Sequence, residues 1–206
     1  TPYDVLQLRT HLKLSWPQFL EQYAALYTGP ASGLPVVSLR FSAARERRCP
    51  FVTPGGCRVY AARPTSCRLY PLARALQRSR RDGTLSEHFA VLREDHCRGF
   101  ERGAHQTARQ WVQNQGAQEG LAANDQLMEL IALKNRMRPG PLDAEHQQWV
   151  VMAFYDLDRL KQEANAGRLI GMASKSLPPL PAPEDDFGWL AWGLAWVRRA
   201  LFGDGR

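Results

Sequence analysis

From Cys49 to about Phe100 the chain has neither the 3.6-residue nor the two-residue apolar period that specifies a helix or a strand. Short stretches such as Arg58-Val59-Tyr60 are cut apart by Pro50, Pro54, Gly55, Gly56, Pro64 and Pro71. A segment this long without regular structure is uncommon in a compact domain unless something other than an apolar face holds it. All four cysteines of the chain, Cys49, Cys57, Cys67 and Cys97, lie inside it. So does most of the positive charge. Residues 40–110 hold fifteen Arg and no Lys against six acidic residues, a surplus of +9, which leaves −2 for the rest of a chain whose total is +7. Thiols and arginines must be explained together.

The remainder of the composition is ordinary. With 206 residues the chain can bury one sizeable core, or one domain plus an extension. Hydrophobic residues at 44% and charged residues at 23% exclude global disorder. No apolar run approaches the roughly 20 residues that span a bilayer. No basic, apolar leader follows Thr1, so no signal peptide is read and a cytoplasmic location is expected. Four cysteines are too few for a disulfide scaffold in a chain of this length.

Outside the cysteine window the pattern is mainly α with a small β component. Thr1-Pro2-Tyr3-Asp4 and Ser15-Trp16-Pro17-Gln18 are two helix starts, each with a capping residue followed by Pro. Val5, Leu8 and Leu12 share a face of the first helix, and Phe19, Leu20, Tyr23 and Leu26 one of the second. Two such helices are read as a packed pair rather than a base-reading helix-turn-helix. Val37, Leu39 and Phe41 alternate as a strand. Further helices are expected over about 104–115, 118–138 and 143–165, the last capped by Asp143 after the Pro139-Gly140-Pro141 break. Leu127, Leu130, Ile131 and Lys134, then Val150, Phe154, Leu157 and Leu160, read as core faces. The expected organisation is a cysteine-cluster domain over 1–175, a Pro-rich linker over 176–186 and an amphipathic helix over 187–206.

The four thiols match the donor set of a tetrahedral Cys₄ site, either zinc or an iron–sulfur cluster, with buried or unliganded cysteines as the alternative. No pair forms a CxxC knuckle, so spacing alone leaves these readings open. Charge favours the metal. A tetrathiolate zinc site is formally dianionic, and Arg48, Arg58, Arg63, Arg68 and Arg98 all lie within four residues of a thiol. Arginine stays protonated and stabilises thiolate. The four side chains are expected to converge on one centre, with the 49–100 segment organised around it and binding coupled to folding.

Cys49-Pro50-Phe51, Gly56-Cys57-Arg58-Val59-Tyr60 and Arg63-Pro64-Thr65-Ser66-Cys67-Arg68-Leu69-Tyr70-Pro71 together resemble the signature of the YkgJ-type cysteine-cluster proteins. These are described as zinc- or iron-chelating domains, with the flagellin lysine N-methylase as a relative. His96-Cys97-Arg98-Gly99-Phe100 is similar to the later cysteine motif of that family, and the likeness extends over about residues 1–170. It implies metal or iron–sulfur binding, with a 4Fe-4S cluster expected first and zinc as the alternative. The family pattern opens with a CxxCxxCC-like cluster ahead of the segment matching Thr1–Asp4, where this sequence starts. A chain carrying those thiols is expected to bind more iron or zinc than one starting at Thr1. The methylase activity belongs to longer relatives, and no glycine-rich cofactor loop supports it here.

The functional expectation is a metal-binding protein, redox-active or part of a protein-modifying system. The alternative is a non-catalytic, zinc-stabilised module that binds a protein or nucleic acid. His96 reads as a neighbour of the site rather than a ligand, and Cys67 with Asp95 or His96 as a poor nucleophile–base pair. Arg78, Arg80 and Arg81 are the best nucleic-acid patch, with a solvated loop favoured over it. Trp189, Trp192 and Trp196 share one face of the last helix. That stripe could lie on a membrane or a protein partner, or, as the favoured reading, fold back on its own domain or a second copy.

Overall fold

In the computed structural model the described residues are 1–41, 48–79, 81–82, 84–95, 97–101, 105–171 and 177–203, without the side chains of Arg78 and Arg98. The elements in chain order are α1 (Pro2–Leu12), α2 (Trp16–Tyr23), β1 (Ala24–Thr28), β2 (Pro35–Leu39), β3 (Val52–Thr53), β4 (Gly56–Cys57), α3 (Thr65–Leu69), β5 (Leu72–Arg78), β6 (Leu85–Val91), α4 (Ala108–Asn114), α5 (Gln118–Met137), α6 (Ala144–Phe154), α7 (Leu157–Asn165) and α8 (Asp186–Phe202). Helix dominates and every sheet is a two-stranded antiparallel hairpin among these elements, so the mainly α expectation with a small β component holds. The contacts divide the chain into Thr1–Arg63 with Ala122–Arg206, and Pro64–Leu121. That division differs from the expected boundaries at 175 and 186.

In the first unit the helix starts read from the sequence are present. Thr1 accepts from Asp4 N at 3.3 Å, and the Asp4 carboxylate accepts from the Thr1 ammonium at 3.1 Å. Ser15 and Gln18 form the same reciprocal cap on α2. Leu26 is not on that helix. The chain leaves α2 after Tyr23 and pairs Ala24–Thr28 with Pro35–Leu39, Ala24 opposite Leu39 and Thr28 opposite Pro35. The ladder satisfies the backbone, and Leu26 remains 39% exposed. Phe41 lies beyond the end of β2.

The helix expected over 143–165 is two helices. Asp143 caps α6 by accepting from His146 N at 3.0 Å. The chain breaks at Tyr155-Asp156, and Asp156 starts α7 by accepting from Arg159 N at 3.4 Å. Arg9, buried on α1, donates to the Tyr155 carbonyl at 2.8 Å, so the break is tied to the first helix. Aspartate as a helix starter outcompeted a continuous apolar face.

The core of this unit contains Leu6, Leu8, Phe19, Phe51, Val150, Phe154, Leu157 and Leu160 together with Trp189, Trp192 and Trp196. α8 packs on α6, α1 and α7. Its approach to α6 is close at Gly193, where a Cβ would stand 2.6 Å from the Ala153 carbonyl oxygen. All three indoles are buried within the unit, and each N–H has a backbone acceptor at 3.0 Å: Ala182, Pro178 and Ile170 in turn. Two of those acceptors belong to the Pro-rich stretch, so its backbone is tied to α8 while most of its described residues are exposed. The Trp stripe is core, which corrects the membrane- or partner-facing alternative. No described helix is long and apolar enough to cross a membrane.

The second unit corrects the expectation of an irregular segment. β5 and β6 form a seven-residue hairpin from Leu72 opposite Val91 to Arg78 opposite Leu85. Leu72, Arg74 and Leu76 are half-buried while Ala73, Ala75 and Gln77 are exposed, so one β5 position on the inner face is an arginine. Arg74 donates to Glu87 at 2.5 Å diagonally across the ladder. Both strands mix polar and apolar residues on each face, and that hid the two-residue period. α4 starts at the Thr107–Gln110 capping box rather than at 104. A small core of Leu69, Val112, Ala117 and Leu121 has Phe89 packed against it.

Candidate functional site

Each unit positions two of the four expected thiols. In the first, Cys49 precedes the β3–β4 hairpin and Cys57 ends it, opposite Val52. The Cys49 carbonyl accepts from Val52 N at 3.1 Å, Thr53 Oγ1 donates to the Gly56 carbonyl at 2.9 Å, and Gly56 takes φ of 109°, which favours glycine. Phe51 is buried, so the hairpin is pinned to the core while both thiols remain half-buried against it.

The arginine beside Cys57 is committed to aromatic rings. The Arg58 guanidinium lies 5.1 Å from the Tyr23 ring centroid and 5.4 Å from that of Phe51, and it donates to the Tyr23 hydroxyl at 2.6 Å. Arg63 stacks over Tyr60 at 4.1 Å. These are cation–π contacts of the kind worth about 0.5–1 kcal/mol at exposed sites. Tyr23 and Phe51 as a platform for Arg58 were not legible in the sequence, because Tyr23 lies 35 residues upstream.

In the second unit Cys67 is exposed on α3, and Cys97 is half-buried at the turn where its N–H donates to the Glu94 carbonyl at 2.9 Å. Tyr70 meets Cys97. Its phenol is held well above the usual tyrosine range, first by the neighbouring Cys97 side chain, then by burial and by Glu94. Arg68, next to Cys67, donates to the Gln115 carbonyl at 3.0 Å. Tyr70 was visible in the sequence only as one aromatic among the arginines.

All four cysteines are free thiols. Their chemistry suits a soft metal centre, but among the described residues no three His, Cys, Asp or Glu side chains are grouped to hold a metal ion. The expected convergence on one centre is therefore not seen among them. His96 and Arg80 lie outside the described residues, as does the side chain of Arg78. Arg81 sits in the β5–β6 loop, where its N–H donates to Ser79 Oγ at 3.2 Å. Among the described residues Tyr70 and Glu94 approach Cys97. Comparison with family models, with curated proteins and with solved structures returns no match to this chain.

Proposed function

We propose that the protein binds a metal through Cys49, Cys57, Cys67 and Cys97, as a 4Fe-4S cluster or as zinc. The observation that carries this reading is the exposure of the thiols. Unliganded cysteine is among the most buried residue types, packing as a small hydrophobe. Here Cys67 is exposed, the other three are only half-buried, and none is in a disulfide. Cysteines with a purely packing role would not be placed this way. The likeness of the 49–71 motifs to the cysteine-cluster family supports the same reading. Because the described thiols are not grouped, binding is coupled to rearrangement of the 49–100 segment. Residence in the cytoplasm and a role in a protein-modifying system belong to this proposal.

The test is metal analysis with an absorption spectrum on protein purified without oxygen. A cluster gives iron, sulfide and a visible chromophore, whereas zinc gives a colourless protein. Cys67→Ser is expected to lower the bound metal to less than half of the parent value and to increase protease cleavage within 49–100. Equal metal content in parent and variant would remove Cys67 from the ligand set. Metal-free parent protein after anaerobic purification would end the reading.

A further inference from the structure

A cleft of about 320 Å³ opens in the first unit along α6 and α7, and none of the four cysteines lines it. Its floor is aromatic. Trp149 and Trp196 lie there with ring centroids 6.1 Å apart. Trp196 is buried and fixed by its hydrogen bond to the Ile170 carbonyl. Trp149 is half-buried, and the edge of His146 stands against it at 4.6 Å, with that imidazole in turn held 2.5 Å from Asp143. The floor is thus rigid, and Trp149 keeps part of its face open to the cleft.

The rim separates into satisfied and unsatisfied charge. Arg168 grips Glu163 through two hydrogen bonds, at 2.7 and 3.0 Å, so these two neutralise each other. Arg159 and Glu145 are different. The Arg159 guanidinium adds to the field on Glu163, but neither it nor the Glu145 carboxylate makes a hydrogen bond or ion pair among the described residues. Among the described residues the cleft therefore presents one uncommitted cation and one uncommitted anion above an indole wall.

That combination selects a ligand class. A simple anion would gain Arg159 but be opposed by Glu145, and a simple cation would meet the reverse. A zwitterion satisfies both, and an attached flat apolar group can rest on Trp149. The volume is at the small end of the roughly 300–1,000 Å³ found for ligand pockets, suited to a single small molecule rather than a nucleotide or a peptide. We propose that this cleft binds a free aromatic α-amino acid, its carboxylate on Arg159, its ammonium on Glu145 and its ring against Trp149. The site is independent of the thiols and of the metal they are proposed to hold.

Titration calorimetry of the full chain with L-phenylalanine tests it. Saturable binding is expected with a dissociation constant of about 1 mM or tighter. 3-Phenylpropionate, which lacks the ammonium, and phenethylamine, which lacks the carboxylate, are expected to bind more weakly. Arg159→Gln and Glu145→Gln alter exposed side chains, and each is expected to weaken L-phenylalanine about tenfold, as the loss of a charge-assisted contact of roughly 1.4 kcal/mol requires. Glu145→Gln should also abolish the preference for the amino acid over 3-phenylpropionate. No saturable binding at millimolar ligand would overturn the proposal. So would equal affinity in the parent and both variants, or a parent that binds 3-phenylpropionate as tightly as the amino acid.

Discussion

A chain ended at Lys175 will lose the cooperative unfolding transition of its first unit. The deletion removes α8, and with it Trp189 and Trp196, which are each only 1% exposed, and Trp192 at 3%. Truncating one buried Trp to Ala typically costs about 3–5 kcal/mol, and a whole domain is stable by only about 5–15 kcal/mol. Losing three such side chains and the face of α6 they cover exceeds what the unit can spare. The milder variant Trp189→Ala should stay folded but unfold at markedly lower denaturant, by about 3 kcal/mol or more. Liposome binding should be nil in the parent and unchanged in Trp189→Ala, because the stripe faces inward. A truncated chain that melts cooperatively near the parent temperature would show that α8 is dispensable.

The second large effect is expected at Lys134. This side chain, in the last turn of α5, is fully buried with no carboxylate partner among the described residues. Its ammonium donates to the Ser32 carbonyl at 2.8 Å and to the Gly140 carbonyl. Gly33 and Gly140 take φ of 64° and 85°, and a Cβ on Gly33 would lie 2.6 Å from Lys134 Nζ and 2.3 Å from the Gly140 oxygen. One lysine thus clamps the β1–β2 turn to the segment before α6, and Leu142 N donates to the Gly33 carbonyl at 3.2 Å beside it. Lys134→Ala removes a buried stem and leaves two carbonyls without their donor, for a loss of about 3 kcal/mol. Lys134→Met keeps the stem and relieves the buried charge, so it should cost about 1 kcal/mol.

Burial lowers the Lys134 pKa from its ordinary value of 10.5, and that gives the clamp a pH signature. In the window below the ordinary value, the unfolded chain binds the proton more readily than the folded one, so Lys134 contributes stability that rises with pH. Buried Tyr155 opposes this at higher pH. Burial raises its pKa, so the unfolded phenol ionises first and stability falls above the ordinary tyrosine range. The lysine contribution is therefore read as the difference between parent and Lys134→Met in urea titrations from pH 8 to 10. Parallel pH profiles for the two would refute the assignment.

Local chemistry was more legible than pairing. The caps at Thr1, Ser15 and Asp143 could be read directly, since each needs only a side-chain oxygen and an N–H three residues on. Val150, Phe154, Leu157 and Leu160 were core as their spacing implied. The break at Tyr155-Asp156 was missed because the apolar face continues across it, while the carbonyl it frees is satisfied by Arg9, 146 residues away. The β5–β6 hairpin was missed because Arg74 holds an inner-face position that only its diagonal pairing with Glu87 explains. Lys134 has the spacing of an apolar face and is buried there, but its role as a donor to two loops depends on Ser32 and Gly140, which that spacing does not show. At the candidate site, residue types carried the signal. What they could not carry was that Cys67 and Cys97 fall in one unit and Cys49 and Cys57 in the other.

The same division sets an order of assembly during synthesis. Pro64–Leu121 is continuous in sequence and has its own small core, so its contacts can form as soon as it leaves the ribosome. The other unit is interrupted by it, and Leu6, Leu8 and Phe19 must await Trp189 and Trp196. Until residues 186–202 have been translated, the earliest helices have no completed core to join, and their apolar faces are what a chaperone or an aggregate would meet. Slowing translation of the codons between Leu121 and α8 would therefore lengthen the exposed interval, and substitutions that weaken α8 would reduce the yield of folded chains before they changed any property of the finished protein.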